Sequence, residues 1–445
     1  MNSNINPRTL KITDMRFVDI DGAPKRSTIL KIMTNQGLEG YGEVRDASSK
    51  TYALMLKSGI LGENPCDVDR IFRKLKQFGG PSRQAGGVCG IEIALWDLCG
   101  KAWGVPLYQL LGGKFRDKVR VYCDTDVDGK HTGHAMGLEL KKRMDMGFTI
   151  LKMDLGIGLL MDEPGCITAP LGFLDDMKHY AGHIVNVQDG SVTADMVRQQ
   201  ESYQIVTTPH PMTGMQITEK GLDVLEEYVR QVREVIGYEV PIAIDHFGHV
   251  CVESCIRFLK RMEKYNLAWA EDMVPWMYTD QYVRMRNSTS VPICTGEDLY
   301  LKEQFETLMK AGGVSIIHPD ILSCGGALEL KKIGNLAGQY GVAVAIHMAE
   351  SPIACMAAVH VAAAMQYVLA IEFHSVKIPW WQDMVNGLPK PFIKEGFIEV
   401  PDTPGLGIES LNEEVLKAHI NPEISGMWEE TSAWDKEFSN DRIWS

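Results

Sequence analysis

The sequence predicts an α/β protein: a closed (β/α)8 TIM-type barrel preceded by a smaller α+β domain. Three observations carry this expectation. First, short apolar runs end in a polar residue six times, at Asp245, Glu271, Glu297, Asp320, His347 and Glu372, at intervals of 26, 26, 23, 27 and 25 residues. An apolar run, a turn, a helix-length stretch and another apolar run make one βα unit. Second, two further units of this kind precede them from about residue 117, which completes the eight that close a barrel. Third, the pattern before residue 117 is different, and a chain of 445 residues exceeds the roughly 250 that a barrel alone uses.

The elements follow in order. TLKITDMRFVDI, STILKIMTNQG and EGYGEVR alternate like strands of a small antiparallel sheet, with DGAP and NQG as turn signals. Residues 50–78 have helical periodicity, broken at GENP. GVCGIEIALWDLCGKAWGVPLYQLLGG reads as a long helix with an apolar stripe of Ile91, Ala94, Leu95 and Leu98. Gly104 and Pro106 end it, and a short helix closes at Gly112 and Gly113. Residues 1–117 are thus the α+β domain, and the barrel occupies 118–390. VRVYCDTD is its first strand, GHAMGLELKKRMDMG the helix that follows, and FTILKMDLG the second strand, where alternation puts Lys152 and Asp154 on one face. The third strand is delayed by an insert at about 156–215, rich in Gly, Pro and His. A loop of that length is functional or disordered, and a lid over the barrel mouth and a dimer contact both stay open. GLDVLEEYVRQVREVIG is an amphipathic helix leading into the acid-bearing units, and residues 391–445 read as a segment returning to the N-terminal domain.

Composition narrows the function. Hydrophobic residues at 45% and charged residues at 23% are ordinary for a soluble enzyme. A net charge of −13 leaves no basic surplus for nucleic acid, although a bound metal still permits an anionic substrate. The N-terminus lacks the apolar core of a signal peptide, and no run approaches the roughly 18 residues of a membrane span. The ten cysteines are scattered, and Cys251 and Cys255, at i and i+4, have no soft ligand set around them. A cytoplasmic homo-oligomer acting on a small molecule, with no nucleic-acid or membrane partner, is expected.

Three carboxylates at the C-terminal ends of successive barrel strands converge on the rim where such barrels keep their chemistry. Asp245, Glu271 and Glu297 would repel one another unless a cation lay between them, and a hard divalent ion with oxygen ligands, one Mg2+ per subunit, fits. A single acid there reads better as a helix cap; three at equal spacing favour the metal. Asp272 and Asp298 face the other way and take supporting or capping roles. Asp320 and His347 end neighbouring strands, so the carboxylate can fix the imidazole tautomer and leave the other nitrogen as a general base. Glu372 is a candidate hydrogen-bond donor if carboxylate neighbours keep it protonated. Lys152 is expected to pair with Asp154, as electrostatic support, proton carrier or structural ion pair. These parts describe removal of a proton next to a carboxylate through a metal-stabilised enediolate.

The strand-end series, the stretch GIEIALWDLCGKAWGVPLYQLLGG and the C-terminal TPGLGIE together resemble the enolase superfamily, in its mandelate racemase/muconate lactonizing enzyme branch. The resemblance spans nearly all of residues 9–415 apart from the insert. It implies a capping α+β domain, a modified barrel closer to (β/α)7β, one Mg2+, and substrate-selecting loops near Asp19–Lys25 and Arg45–Lys50. Two departures bear on the reaction. Members with a second lysine base carry Lys-x-Lys on the second barrel strand, where this chain has Lys152-Met153-Asp154. Proton transfer between two faces of one carbon is thereby disfavoured, and acid sugar dehydratases that use an Asp–His dyad fit better. Many of those place a histidine two residues after the first metal ligand. Here Phe247 holds that position, flanked by His246 and His249. His249 is expected as the general acid, with His347 serving both roles as the other possibility. Arg45, Asp154, His246 and Trp381 are expected near the substrate, and Trp276, Trp380 and Trp381 could flank a polyol chain. The expectation is an Mg2+-dependent acid sugar dehydratase, a carbon–oxygen lyase giving a 2-keto-3-deoxy sugar acid. The alternatives are a racemase, epimerase or cycloisomerase, and more remotely a non-catalytic metal-binding protein.

Overall fold

The N-terminal alternation folds as an antiparallel meander. The computed structural model describes residues 5–127, 131–160, 163–168, 215–245, 247, 250–420 and 426–437. In it β1 (Ile12–Ile20), β2 (Ser27–Thr34) and β3 (Glu39–Val44) pair in that order, with Ile20 opposite Ser27 and Thr28 opposite Val44. Four helices follow: α1 (Thr51–Leu54), α2 (Val68–Leu75), α3 (Gly86–Trp103) and α4 (Leu107–Leu110). The apolar stripe expected on α3 is too narrow a description, because 14 of its 18 residues are buried. The helix is walled in on most sides. It ends at Gly104, whose left-handed φ of 70° forms the C-cap that the sequence predicts.

Glycines let α3 approach the sheet. A Cβ on Gly42 of β3 would run into the carbonyl of Gly90, and one on Gly90 would run into the carbonyl of Glu43. Both obstacles are backbone, so no side-chain movement relieves them. Gly42→Ala is therefore expected to destabilise the protein by about 3 kcal/mol, read as a lowered urea midpoint. An unchanged midpoint would show that helix and strand can separate freely.

The repeating units form the barrel. Along it the chain runs through β4 (Lys118–Thr125), α5 (Gly133–Asp145), β5 (Leu151–Asp154), then a separate pair outside the barrel sheet, β6 (Ile167–Thr168) and β7 (Gln216–Ile217), and on through α6 (Glu219–Ile236), β8 (Ile242–Asp245), α7 (Val252–Met262) and β9 (Leu267–Glu271). They continue with α8 (Thr279–Arg286), β10 (Ile293–Thr295), α9 (Leu301–Lys310), β11 (Ile316–Ile317), α10 (Ala327–Tyr340), β12 (Ala343–Ile346), α11 (Pro352–Ala364) and β13 (Val368–Phe373). The strand order is β13-β12-β11-β10-β9-β8-β5-β4, and β13 also pairs with β4, closing eight strands into a barrel. The strands are continuous apolar runs because the barrel covers both faces of the sheet: Ile242, Ala243 and Ile244 are all fully buried. β6 and β7 pair antiparallel, Ile167 with Ile217, and so draw together the two ends of the insert. Residues 161–162 and 169–214 lie outside the described residues, and with them the lid and dimer-contact readings.

The last segment carries β14 (Val385–Asn386), β15 (Ile393–Lys394), β16 (Phe397–Glu399), β17 (Ser410–Leu411) and α12 (Glu413–Ala418). β16 adds to the start of β4, Phe397 opposite Arg120. The chain then returns to the N-terminal elements: Leu406 N–H donates to Asp97 Oδ1 at 2.9 Å, and Ile420 bridges Ile20. Contacts gather into two compact units. One is Met1–Tyr122 with Gly296–Lys310 and Ile317–Ser445; the other is Cys123–Thr295 with Ala311–Ile316. Among the described residues no helix is long and apolar enough to cross a membrane.

Candidate active site

Each unit holds its own cluster of charged side chains. In the second unit, parallel pairing sets Asp154 of β5 beside Asp245 of β8 and Lys152 beside Ala243. The Lys152 ammonium reaches across to the acids of the following strands, 2.5 Å from Asp245 Oδ2 and 2.8 Å from Glu271 Oε1. All three groups are buried. A buried lysine is tolerated only when paired in this way, and two carboxylates are held together by one cation. The other oxygen of Glu271, Oε2, accepts the indole N–H of Trp269 at 2.7 Å. Trp269 stands two residues earlier on β9 and so shares its inward face. Asp272 takes a left-handed φ of 43° and donates its N–H to Cys294 O at 3.2 Å, turning the chain away after Glu271.

In the first unit, Asp320 and His347 meet across a parallel bridge between neighbouring strand ends. The imidazole Nδ1 lies 2.5 Å from Asp320 Oδ2, and its Nε2 lies 3.4 Å from Glu297 Oε2. Asp320 is wholly buried, which alone would push its carboxyl up. The charges of Arg45 and then His347 outweigh burial and hold it below the usual carboxylate range. An ionised Asp320 must accept a proton from Nδ1–H, so Nε2 is left as the basic nitrogen.

Glu350 has the opposite state. It is fully buried beside Asp320, and burial followed by repulsion from Asp320 pushes its carboxyl well above the ordinary range. It accepts Ala349 N–H at 2.7 Å, and Asp320 and Glu350 share a hydrogen bond. The two neighbouring carboxyls are driven apart, Asp320 downward and Glu350 upward. The sequence reading missed this residue, which follows the strand-end histidine by three and resembles an ordinary acid before the Ser-Pro start of α11.

Arg45 corrects an expectation. It was expected against substrate, but it is 1% exposed and its guanidinium is committed to protein. Nε donates to Asp46 Oδ1 at 2.8 Å and lies 3.6 Å from Glu350. Nη1 donates to Glu297 O at 3.0 Å and to Ser323 Oγ, and lies 3.8 Å from Asp320. Nη2 lies 3.4 Å from Glu297 Oε1 and 3.9 Å from Asp298. The two loops expected to select substrate are tied together by Lys50–Asp19 at 3.4 Å and Lys25–Asp46 at 3.5 Å.

Glu372 is also placed differently from expectation. Carboxylate neighbours were expected to keep it protonated, whereas imidazoles stand at both of its oxygens: His318 Nε2 at 3.3 Å and His374 Nε2 at 3.2 Å. His318 is fully buried and its Nε2 also meets Tyr122 Oη at 2.6 Å. Trp381 is 2% exposed, donates its indole N–H to Glu350 O at 2.9 Å and packs on Phe373 and Phe392, so it is a packing residue rather than a wall for a polyol. Trp380 stacks on His419 with centroids 3.6 Å apart. His246 and His249 lie outside the described residues.

Comparison with known proteins identifies the family. The family model described as enolase C-terminal domain-like matches residues 135–415, and that of the mandelate racemase/muconate lactonizing enzyme N-terminal domain matches residues 22–112. A D-xylonate dehydratase of Haloferax volcanii is 32% identical over 420 residues, covering 93% of this chain and 90% of its own length. A D-galactonate dehydratase of Ralstonia pickettii is 27% identical, covering 87% and 89%. Among solved structures, a mandelate racemase/muconate lactonizing enzyme-like protein from Rubrobacter xylanophilus superposes with a TM-score of 0.76 at 29% identity, covering 94% of this chain and 99% of that one.

Proposed function

The chain belongs to the enolase superfamily, in its mandelate racemase/muconate lactonizing enzyme branch, and on that premise we propose that it is an Mg2+-dependent acid sugar dehydratase. The observation that carries this reading is the Asp320–His347 dyad, with Nδ1 held at 2.5 Å and Nε2 turned toward Glu297. The named relatives, which dehydrate sugar acids according to their names, support it.

Asp245, Glu271 and Glu297 would hold the ion. Their strands are consecutive in the sheet, and an all-carboxylate donor set suits a hard cation. When bound, Mg2+ supplies positive charge that stabilises the negative charge developing on the substrate carboxylate. His347 Nε2 takes the proton from the carbon next to that carboxylate, and ionised Asp320 stabilises the imidazolium that forms. Lys152 keeps Asp245 and Glu271 in place and offsets part of their charge. With Asp154 where a second lysine base would stand, one strong base serves the carbon, which favours elimination of the 3-hydroxyl over exchange between two faces.

The test is a panel of mono- and diacid sugars, pentonates and hexonates first, with keto product detected by semicarbazide. One or a few members are expected to yield a 2-keto-3-deoxy acid, with activity abolished by EDTA and restored by Mg2+. Solvent deuterium in recovered substrate without keto product would replace the dehydratase by a racemase or epimerase. Protein that binds Mg2+ and leaves the whole panel unchanged would sink the enzyme reading.

A further inference from the structure

β13 ends at Phe373, and His374 follows it directly, capping the turn Ser375–Lys377 two positions past Glu372. His374 Nε2 lies 3.2 Å from Glu372 Oε1, and its ring centre is 6.0 Å from that of His347. One nitrogen of each histidine and an oxygen of Glu372 all fall within 4.8 Å of one another. The two imidazoles on Glu372 differ in access. His318 is fully enclosed, whereas the His374 side chain is 20% exposed. Of the two, only His374 can meet a bound molecule.

Resting on the dehydratase reading, we propose that His374 is the general acid that protonates the departing 3-hydroxyl. The geometry fits the task. A base and an acid on the neighbouring strand ends of β12 and β13 can serve adjacent carbons of one substrate. The Glu372 carboxylate stabilises positive charge on the His374 ring and orients it.

The step balances. His347 Nε2 takes the C2 proton, and the C–H electron pair passes into the carboxylate as the enediolate. Return of that pair forms the C2–C3 double bond while the C3–O bond breaks, and the His374 N–H proton passes to the leaving oxygen, releasing water. His347 then carries a proton and His374 lacks one. Ketonisation of the enol takes up a proton at C3 and gives one up from oxygen, so both rings return to their starting states. This places the acid on His374 instead of His249.

The experiment uses the full-length protein with Mg2+ and whichever acid sugar the wild type converts, in D2O. His374→Asn and His374→Gln are expected to lose keto product by about 10^2-fold or more while still exchanging the C2 proton for deuterium. A 3-chloro-3-deoxy analogue, whose chloride leaves without a proton, is expected to restore elimination in both variants. Either variant dehydrating within threefold of wild type overturns the assignment and returns the role to His249. Loss of exchange together with dehydration in both folded variants also overturns it, because His374 would then act on the base. A wild type that neither exchanges nor dehydrates any sugar acid removes the dehydratase reading itself, an outcome separate from the other two.

Discussion

His347→Asn is expected to lower kcat for dehydration by about 10^3-fold or more, since general-base removal from such a site is worth up to roughly 10^4. Asparagine is close in size but has no basic nitrogen at the position of Nε2, which lies 3.4 Å from Glu297. The variant should lose C2 deuterium exchange along with product, while Mg2+ affinity measured by calorimetry stays within a few-fold of wild type. Asp320→Asn is expected to cost a comparable amount by a different route. The amide can offer N–H to Nδ1, which favours the tautomer that protonates Nε2. Full exchange in His347→Asn would show that another group is the base.

Lys152→Met is expected to be the most destabilising single change at the barrel mouth. The ammonium stands 2.5 Å from Asp245 and 2.8 Å from Glu271, so its loss removes a close counter-charge from two buried carboxylates, at a cost of roughly 3–5 kcal/mol. Denaturant unfolding measures the loss. If the two acids are metal ligands, saturating Mg2+ should recover much of it, because an ion that binds only the folded state stabilises in proportion to its occupancy. The Mg2+-dependent shift should then be larger in the variant than in wild type. A loss that Mg2+ leaves untouched would strike Asp245 and Glu271 from the ligand set.

These two predictions rest on contacts of different legibility. The barrel could be read in advance because strand ends recur along the chain at nearly constant spacing, and because apolar runs buried on both faces are visible as such. The Asp320–His347 pair could be read for the same reason, since adjacent strand ends in a parallel sheet are adjacent in space. Side-chain partners at longer range could not. Sequence alternation assigns Lys152 to the face of Asp154 but says nothing of how far a four-carbon stem extends, and the stem reaches two strands onward. Arg45 reads as a loop residue, and its burial depends on acids some 250 residues later. Glu350 and His374 both lie just beyond a polar strand end that already satisfied the pattern, so the pattern stops short of them. A signal existed in each case: a further titratable residue within three positions of a strand-end one.

Arg45 has one more consequence, for how substrate preference can change over time. The arginine and Asp46 are both 1% exposed, and Arg45 fastens the beginning of its loop to the same carboxylates that govern the base. Residues 47–50 lie beyond that fastening. On the proposed function, with this loop selecting substrate as the family resemblance implies, those residues can vary while the Asp320–His347 pairing stays in place. On the same reading, substitution at Arg45 itself would loosen the loop and remove a cation from beside Glu297, Asp320 and Glu350 in one step, so gradual adaptation has no small moves available there.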